Sequence, residues 1–286
     1  MKQLYNNRFA IFFAVILTLT LISSCKKDDN QKKDYLDIIL STVFPLEKDI
    51  DFGKQFDNQL NTNKSEYPIL DETKYKTAYD YLYNIRDRIL KSDDLLHAKD
   101  FTWPIKIIDN DTVLNAFCAP GGYMYFYTGI IKFLDNEAQL AGVMAHEMAH
   151  ADKRHVTKTL LAQYAAQTLI GMIIGEDTTK LEEIISDLAL GLGTLKFSRE
   201  HEYQADEYAV KYTADTEYDP RGIAGFFEKL NSQSEKGFRT PEFLSTHPNP
   251  EHRLENIDSV YKSIGSPIGE TFEDRYNELK NSLKKN

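Results

Sequence analysis

The sequence predicts an α+β fold that is mostly helical, with one small antiparallel β-meander set among the helices. Three observations predict it. Residues 35–100 carry apolar side chains at helical spacing, as in Tyr79, Tyr81, Leu82, Ile85 and Leu90. Between residues 105 and 127 the pattern changes to short runs of β-branched and aromatic residues broken by turn signals. From Gly129 helical spacing returns and continues to the end.

The N-terminus reads as a targeting segment. Lys2 and Arg8 form a basic region ahead of Phe9–Ile22, an unbroken run of apolar residues and threonines. That run suits a signal-peptide core and is short for a membrane span. It ends in Leu21-Ile22-Ser23-Ser24-Cys25, which resembles a bacterial lipobox. The resemblance implies cleavage before Cys25 and lipidation of that cysteine, so residues 1–24 are a lipoprotein signal peptide. Residues 25–34 are then a lipidated tether, and Lys26-Lys27-Asp28-Asp29 is either a solvated charged spacer or a surface-export signal. The expected location is the bacterial cell envelope, on a membrane through the lipid. The outer membrane is favoured, facing the periplasm or the cell surface.

With Cys25 acylated, Cys118 is the remaining thiol and no internal disulfide can form. Cys118 lies in an apolar run and reads as a small buried side chain. The formal charge of −10 argues against nucleic acid as the main partner, because phosphate binding wants clustered Lys and Arg.

The strands fall at Ile105–Ile108, Thr112–Cys118 and Tyr123–Tyr127, with Asp109-Asn110-Asp111 and Pro120-Gly121-Gly122 as turns. Asn136 with Gln139 matches a capping box at the start of the next helix. Lys153 and Arg154 fall near that helix's end, where cations suit the dipole. Leu160–Ile174 is strongly apolar but carries Gln163 and Gln167, which suits a buried or groove-lining helix. No internal repeat is visible.

The chemistry begins at Val143–His155, which holds three of the seven histidines. His146-Glu147-Met148-Ala149-His150 is an HExxH pattern. Residues four apart on a helix lie within about 40° of each other, so both imidazoles can converge on one ion. Glu147, displaced by about 100°, flanks that ion rather than binding it. This is the donor set and base of a zinc hydrolase. Chance produces such a pattern in on the order of one in a hundred chains of this histidine content.

A catalytic zinc usually takes three protein ligands and keeps one open position. His155 is the nearest candidate, but a continuing helix turns it by about 900° from His146, to the opposite side. It therefore reads as a helix-end histidine on the polar face. Ser198–Val210 offers Glu202 and Asp206, four apart on one helical face. Glu202 could supply a carboxylate oxygen, and Asp206 could accept a hydrogen bond from a ligand imidazole. Such acid pairs are common on solvated surfaces, and the spacing alone decides nothing.

HExxH followed by Ser198-Arg199-Glu200-His201-Glu202-Tyr203-Gln204-Ala205-Asp206 resembles the HtpX-like and CAAX-prenyl-protease-like zinc metallopeptidases, peptidase family M48. Asn115–Ile130 is similar to the family's active-site strand and hairpin, Tyr218–Leu230 to its following helix, and Ser245–Ile257 to its His-Pro loop and arginine. The resemblance implies a zincin-type, gluzincin-like core with the meander beside the HExxH helix. It implies one zinc per chain on His146, His150 and Glu202, Glu147 as catalytic base, and Asp206 behind the ligands. Asn115, Ala116 and Phe117 become the strand that holds extended substrate.

By the same resemblance His247 lies over the metal, where it stabilises an oxyanion or occupies the open position as a self-inhibiting ligand; the alternative is a turn histidine before Pro248. Arg253 becomes a partner for an acid near the site or an oxyanion-stabilising cation. His201 and His252 read as flanking surface residues, and His97 as a solvated one. Residues 35–265 are expected to form a single metallopeptidase domain and 266–286 a helical tail.

With no further span evident in the sequence, the chain resembles the family's soluble or lipid-anchored periplasmic, BepA-like branch, and the repeat domain of that branch is not expected. The expected reaction is endoproteolysis of unfolded or misassembled envelope proteins. The alternative is a silent or self-inhibited chaperone-like binder. Partners are protein or peptide substrates, the membrane, and an envelope assembly machinery.

Overall fold

The computed structural model describes residues 44–163, 183–184, 196–235, 242–248 and 252–284. The expected signal peptide, Cys25, the tether and residues 164–174 of the apolar stretch lie outside them. Residues 49–286 cluster as one compact unit; of residues 1–48, the described ones are those leading into the first helix.

Two helices come first, α1 (Leu46–Thr62) and α2 (Lys76–Ile89). The strands β1 (Ile105–Ile108), β2 (Ala116–Ala119) and β3 (Tyr123–Tyr127) follow, with a 3-10 turn at Pro120–Gly122. Then come α3 (Thr128–Phe133), α4 (Glu137–Asp152), α5 (His155–Gln163), α6 (Arg199–Ala214) and α7 (Gly222–Glu235). The short α8 (Phe243–Thr246), α9 (Arg253–Ser263) and α10 (Glu273–Ser282) complete the described elements.

Strands β1 and β3 have the expected bounds, β2 is Ala116–Ala119 rather than Thr112–Cys118, and the sheet is mixed rather than an antiparallel meander. Its order is β1-β3-β2, with β2 antiparallel and β1 parallel to β3. The physical reason lies in the connection after β1. Its Asn110 carbonyl accepts from Gly129 N at 3.1 Å, and its Asp111 carboxylate accepts from the Thr128 hydroxyl at 2.6 Å. Both partners sit just past the end of β3. The connection therefore crosses that end and delivers β2 to the far side, instead of turning back beside β1. The Pro-Gly-Gly turn then folds β3 between the other two, with Gly121 at φ 76 and Gly122 at φ 84, left-handed values that favour glycine.

Both faces of this small sheet are covered. Phe117 and Tyr125 are cross-strand partners whose rings stack with centroids 4.6 Å apart, and Phe56 of α1 meets both edge-on. The alternate residues, Ala116 and Cys118 among them, point the other way, and β2 packs against α4.

Helix α4 is the centre of the fold, and every residue in it is buried. Asn136 caps its start by accepting from Gln139 N at 2.9 Å. The Gln139 side chain reaches back as a capping box requires, but to Asp135 N rather than to the cap's own N–H. Helix α7 touches α4 backbone to backbone. A Cβ on Gly142 would stand 2.3 Å from Ile223 N, and one on Gly222 would stand 2.0 Å from Ala138 O. Larger residues at either position would push the helices apart.

The C-terminal helix α10 packs on α2 and α4. Tyr276 and Leu279 are fully buried, and the Tyr276 hydroxyl donates to Ile131 O at 2.6 Å. Arg275 donates to both carboxylate oxygens of the buried Glu137, in the first turn of α4, at 2.5 and 2.6 Å.

Candidate metal centre

The two halves of the HExxH pattern project from α4 as helical spacing predicts. His146 Nε2 and His150 Nε2 lie 3.1 Å apart, and both side chains have no exposed surface. Helix α6 crosses α4 and brings Glu202 alongside, with its Oε1 3.6 Å from His150 Nε2 and its Oε2 3.7 Å from His146 Nε2. The turn after α8 adds His247, whose Nδ1 is 3.1 Å from Glu202 Oε1 and 3.4 Å from His146 Nε2.

One donor atom from each of these four buried residues lies within 4.8 Å of the others, a group that could hold a metal ion. The spacing fits a tetrahedral cation: with zinc–donor bonds of about 2.0–2.1 Å, neighbouring donors stand about 3.4 Å apart. The chemistry fits as well, since imidazole nitrogens and carboxylate oxygens are zinc's usual donors. Burial first, then the surrounding imidazoles, push His150 well below the ordinary imidazole range, which keeps it neutral as a ligand must be.

Glu202 reaches the same point as a carboxylate. Burial raises its pKa, but His247, Arg253 and His146 outweigh that and hold it below the usual range. His247 behaves in the opposite sense. Burial disfavours its charge, yet Glu147 and Glu202 prevail and raise its pKa.

Glu147 lies beside this group, with Oε1 3.5 Å from His247 Nε2. The Cys118 backbone on β2 favours its charged form, more weakly than burial disfavours it. Burial raises its pKa above 4.5, against the pull of His247 and His146. Burial likewise raises the Cys118 thiol, consistent with a packed rather than a reactive cysteine.

A buried ionic frame stands behind the donors. Asp206 Oδ1 lies 3.0 Å from His146 Nδ1, one turn along α6 from Glu202. Arg253, the first residue of α9, pairs with Asp206 through two nitrogens and reaches Glu202 Oε2 at 2.9 Å. Its guanidinium also lies 4.0 Å from the Phe227 ring centroid. The frame outweighs burial and holds the Asp206 carboxyl below its ordinary pKa.

Asn115 and Phe117 are buried at the edge of the sheet, and Ala116 opens β2 between them. Among the described residues, β2 pairs only with β3, so its other edge carries no strand.

Two expectations on histidines are corrected. His155 does not turn away to a polar face: its side chain is fully buried, and its Nδ1 lies 3.0 Å from His150 Nδ1. The reason is a break in the helix. Arg154 takes φ 58, ending α4, and a new helix starts at His155, so rotation counted along a continuous helix does not apply. Asp49 of α1 holds the break, accepting from Arg154 Nε at 2.5 Å. His201 is not a free surface residue either, since its ring stacks on His155 at 4.3 Å. His252 is exposed, as expected, with Nδ1 2.7 Å from Glu255. His97 is half-buried and stays at the periphery, paired with Asp100.

Sequence reasoning passed over Gln204, whose Oε1 lies 2.9 Å from His155 Nε2. No local signal marks it. The break at Arg154 carries no glycine either, so nothing in the spacing announced that His155 would turn inward.

The model of peptidase family M48 matches residues 81–261, more than half of the chain. Similar proteins include the beta-barrel assembly-enhancing protease of Escherichia coli (strain K12), 31% identical over 63% of this chain and 39% of the relative. The mitochondrial metalloendopeptidase OMA1 of Arabidopsis thaliana is 29% identical over 55% of this chain and 31% of the relative. OMA1 of Schizosaccharomyces pombe is 27% identical over 62% of this chain and 51% of the relative. The chain spans about two fifths of the length of the barrel-assembly relatives, 39% for the Escherichia coli protein.

Proposed function

Because the chain belongs to peptidase family M48, we propose that it is a zinc-dependent endopeptidase acting on unfolded or misassembled envelope proteins from a lipid anchor at Cys25. The observation that supports this best is the convergence of His146, His150, Glu202 and His247 on one buried point beside Glu147.

His146, His150 and Glu202 would hold the zinc. When bound, zinc lowers the pKa of a water toward neutrality and polarises a peptide carbonyl. Glu147 accepts a proton from the attacking water and returns it to the leaving amine. Asp206, facing His146 Nδ1, would hold that ring in orientation. The edge of β2 at Asn115, Ala116 and Phe117, which carries no strand among the described residues, would take an extended segment by strand addition, which favours unfolded chains with little sequence demand.

A second reading is a self-inhibited or silent binder of misfolded chains. The approach of His247 to the three donors favours it, since a fourth protein donor would fill the position that substrate needs.

The barrel-assembly names among the relatives make an envelope assembly machinery a candidate partner. The test is to purify residues 26–286, measure bound zinc, and compare casein cleavage by wild type and Glu147→Gln. Cleavage that survives both the substitution and a chelator ends the peptidase reading. Labelling Cys25 with a fatty-acid probe, then surface proteolysis of intact cells, tests the anchor and its side.

A further inference from the structure

Resting on the metal site proposed above, we infer that Gln204 and His155 form a relay that sets which nitrogen of His150 carries its proton. They are positioning residues that keep His150 Nε2 free for the metal. The chain of contacts runs Gln204 Oε1 to His155 Nε2 at 2.9 Å, then His155 Nδ1 to His150 Nδ1 at 3.0 Å. His150 Nε2 stands at the far end, among the other donors.

Proton counting gives the relay its direction. A carboxamide oxygen only accepts, so His155 Nε2 must carry a hydrogen to satisfy it. His155 is fully buried with no carboxylate against it among the described residues, and a neutral imidazole has one N–H. Its Nδ1 is therefore a bare acceptor, 3.0 Å from His150 Nδ1. Two bare nitrogens at that distance would repel, so His150 Nδ1 carries the hydrogen and donates it. That leaves the lone pair on His150 Nε2, the atom that faces the donor cluster.

Reversing the amide reverses everything. With the Gln204 nitrogen toward His155, the hydrogens would shift along the chain and end on His150 Nε2, where they block a metal. The two α4 ligands thus have separate guides. His146 Nδ1 faces Asp206, an acceptor-only carboxylate, while His150 is guided through a second imidazole by an amide. The stacking of His201 on His155 holds the middle ring in plane.

The test uses the full chain and two readouts independent of peptidase activity. Zinc affinity is measured by competition with a chromophoric chelator for wild type, Gln204→Leu, Gln204→Glu, His155→Leu and His155→Gln. The leucine variants should bind zinc about 10–100-fold more weakly, the usual effect of losing a ligand's outer partner. Gln204→Glu and His155→Gln keep an acceptor and should keep wild-type affinity. Separately, the nitrogen-15 spectrum of the histidines in the metal-free chain should show the wild-type His150 proton on Nδ1, and a mixture of tautomers in Gln204→Leu.

Unchanged zinc affinity in Gln204→Leu overturns the relay, as does equal weakening in Gln204→Glu, which would mark a packing role. A wild-type His150 proton on Nε2 overturns it as well. Should Gln204→Leu fail to fold, the Gln204→Glu affinity and the wild-type spectrum still decide. A wild type that binds no zinc but carries the Nδ1 proton would sink the metal site and leave the relay standing.

Discussion

Arg253 and Asp206 form a two-point ion pair in the protein interior. Arg253 Nη2 donates to Oδ1 at 2.5 Å and Nε to Oδ2 at 2.7 Å, and neither side chain has more than 1% of its surface exposed. Through its two ends this pair touches both helices of the site, since Asp206 faces His146 on α4 and Arg253 reaches Glu202 on α6.

Arg253→Leu should therefore be costly. It leaves Asp206 as an uncompensated buried charge, which typically costs about 3–5 kcal/mol. Urea denaturation of the metal-free protein measures it, and the double variant Arg253→Leu with Asp206→Asn should recover part of the loss. A single variant as stable as wild type would contradict a structural role for the pair.

Glu202→Ala should bind zinc far more weakly while keeping the fold, because His146 and His150 alone make a two-point grip. Zinc per chain after dialysis against a weak chelator reads this directly. Full occupancy in the variant would remove Glu202 from the ligand set.

Glu147→Gln should lower kcat/KM by at least about 10²-fold, the usual scale for losing a general base. Wild-type activity should fall on the acid side as Glu147 is protonated, since only the carboxylate can accept a proton. The stability consequence has a definite sign. A carboxyl whose folded pKa is raised stabilises most below pH 4.5, and that contribution is lost as pH rises through the folded value. Metal-free Glu147→Gln should thus melt higher than wild type at neutral pH, with the gap closing below pH 4.5. A gap that does not change with pH would count against the shift.

His247→Ala separates the two roles left open for that residue. If His247 occupies the position substrate needs, casein cleavage rises in the variant. If it stabilises the reacting oxygen, cleavage drops by about 10²–10³-fold. An unchanged rate would deny it both.

Arg275→Leu should destabilise the chain by roughly 1–3 kcal/mol, by leaving the Glu137 carboxylate short of partners in the interior. Tyr81 and Tyr218 also donate to Glu137, so the loss is partial rather than complete. Thermal unfolding with and without the substitution measures it, and no change in midpoint would mean that solvent replaces the arginine freely.

The fold was legible where local periodicity operates. Helical spacing around Leu82 and Ile85 and the β-branched runs at Ile105–Ile108 gave the right element types, because each depends on neighbours within a turn or a pleat. Strand order was not legible. Whether β2 pairs with β1 or crosses the end of β3 depends on where Asn110 and Asp111 find partners, and those partners, Gly129 and Thr128, come later in the chain.

The site divides in the same way. By itself the sequence determined that His146 and His150 share one face of a helix with Glu147 beside them, since 3.6 residues per turn leaves no other arrangement within a single helix. Only the tertiary structure decided what surrounds them. The crossing of α6 over α4 brings Glu202 and Asp206 into place, and the turn after α8 adds His247. The left-handed residue at Arg154 sends His155 back against His150. Counting turns works only while the helix continues, and α4 ends at Asp152, short of the histidine whose place that count was meant to predict.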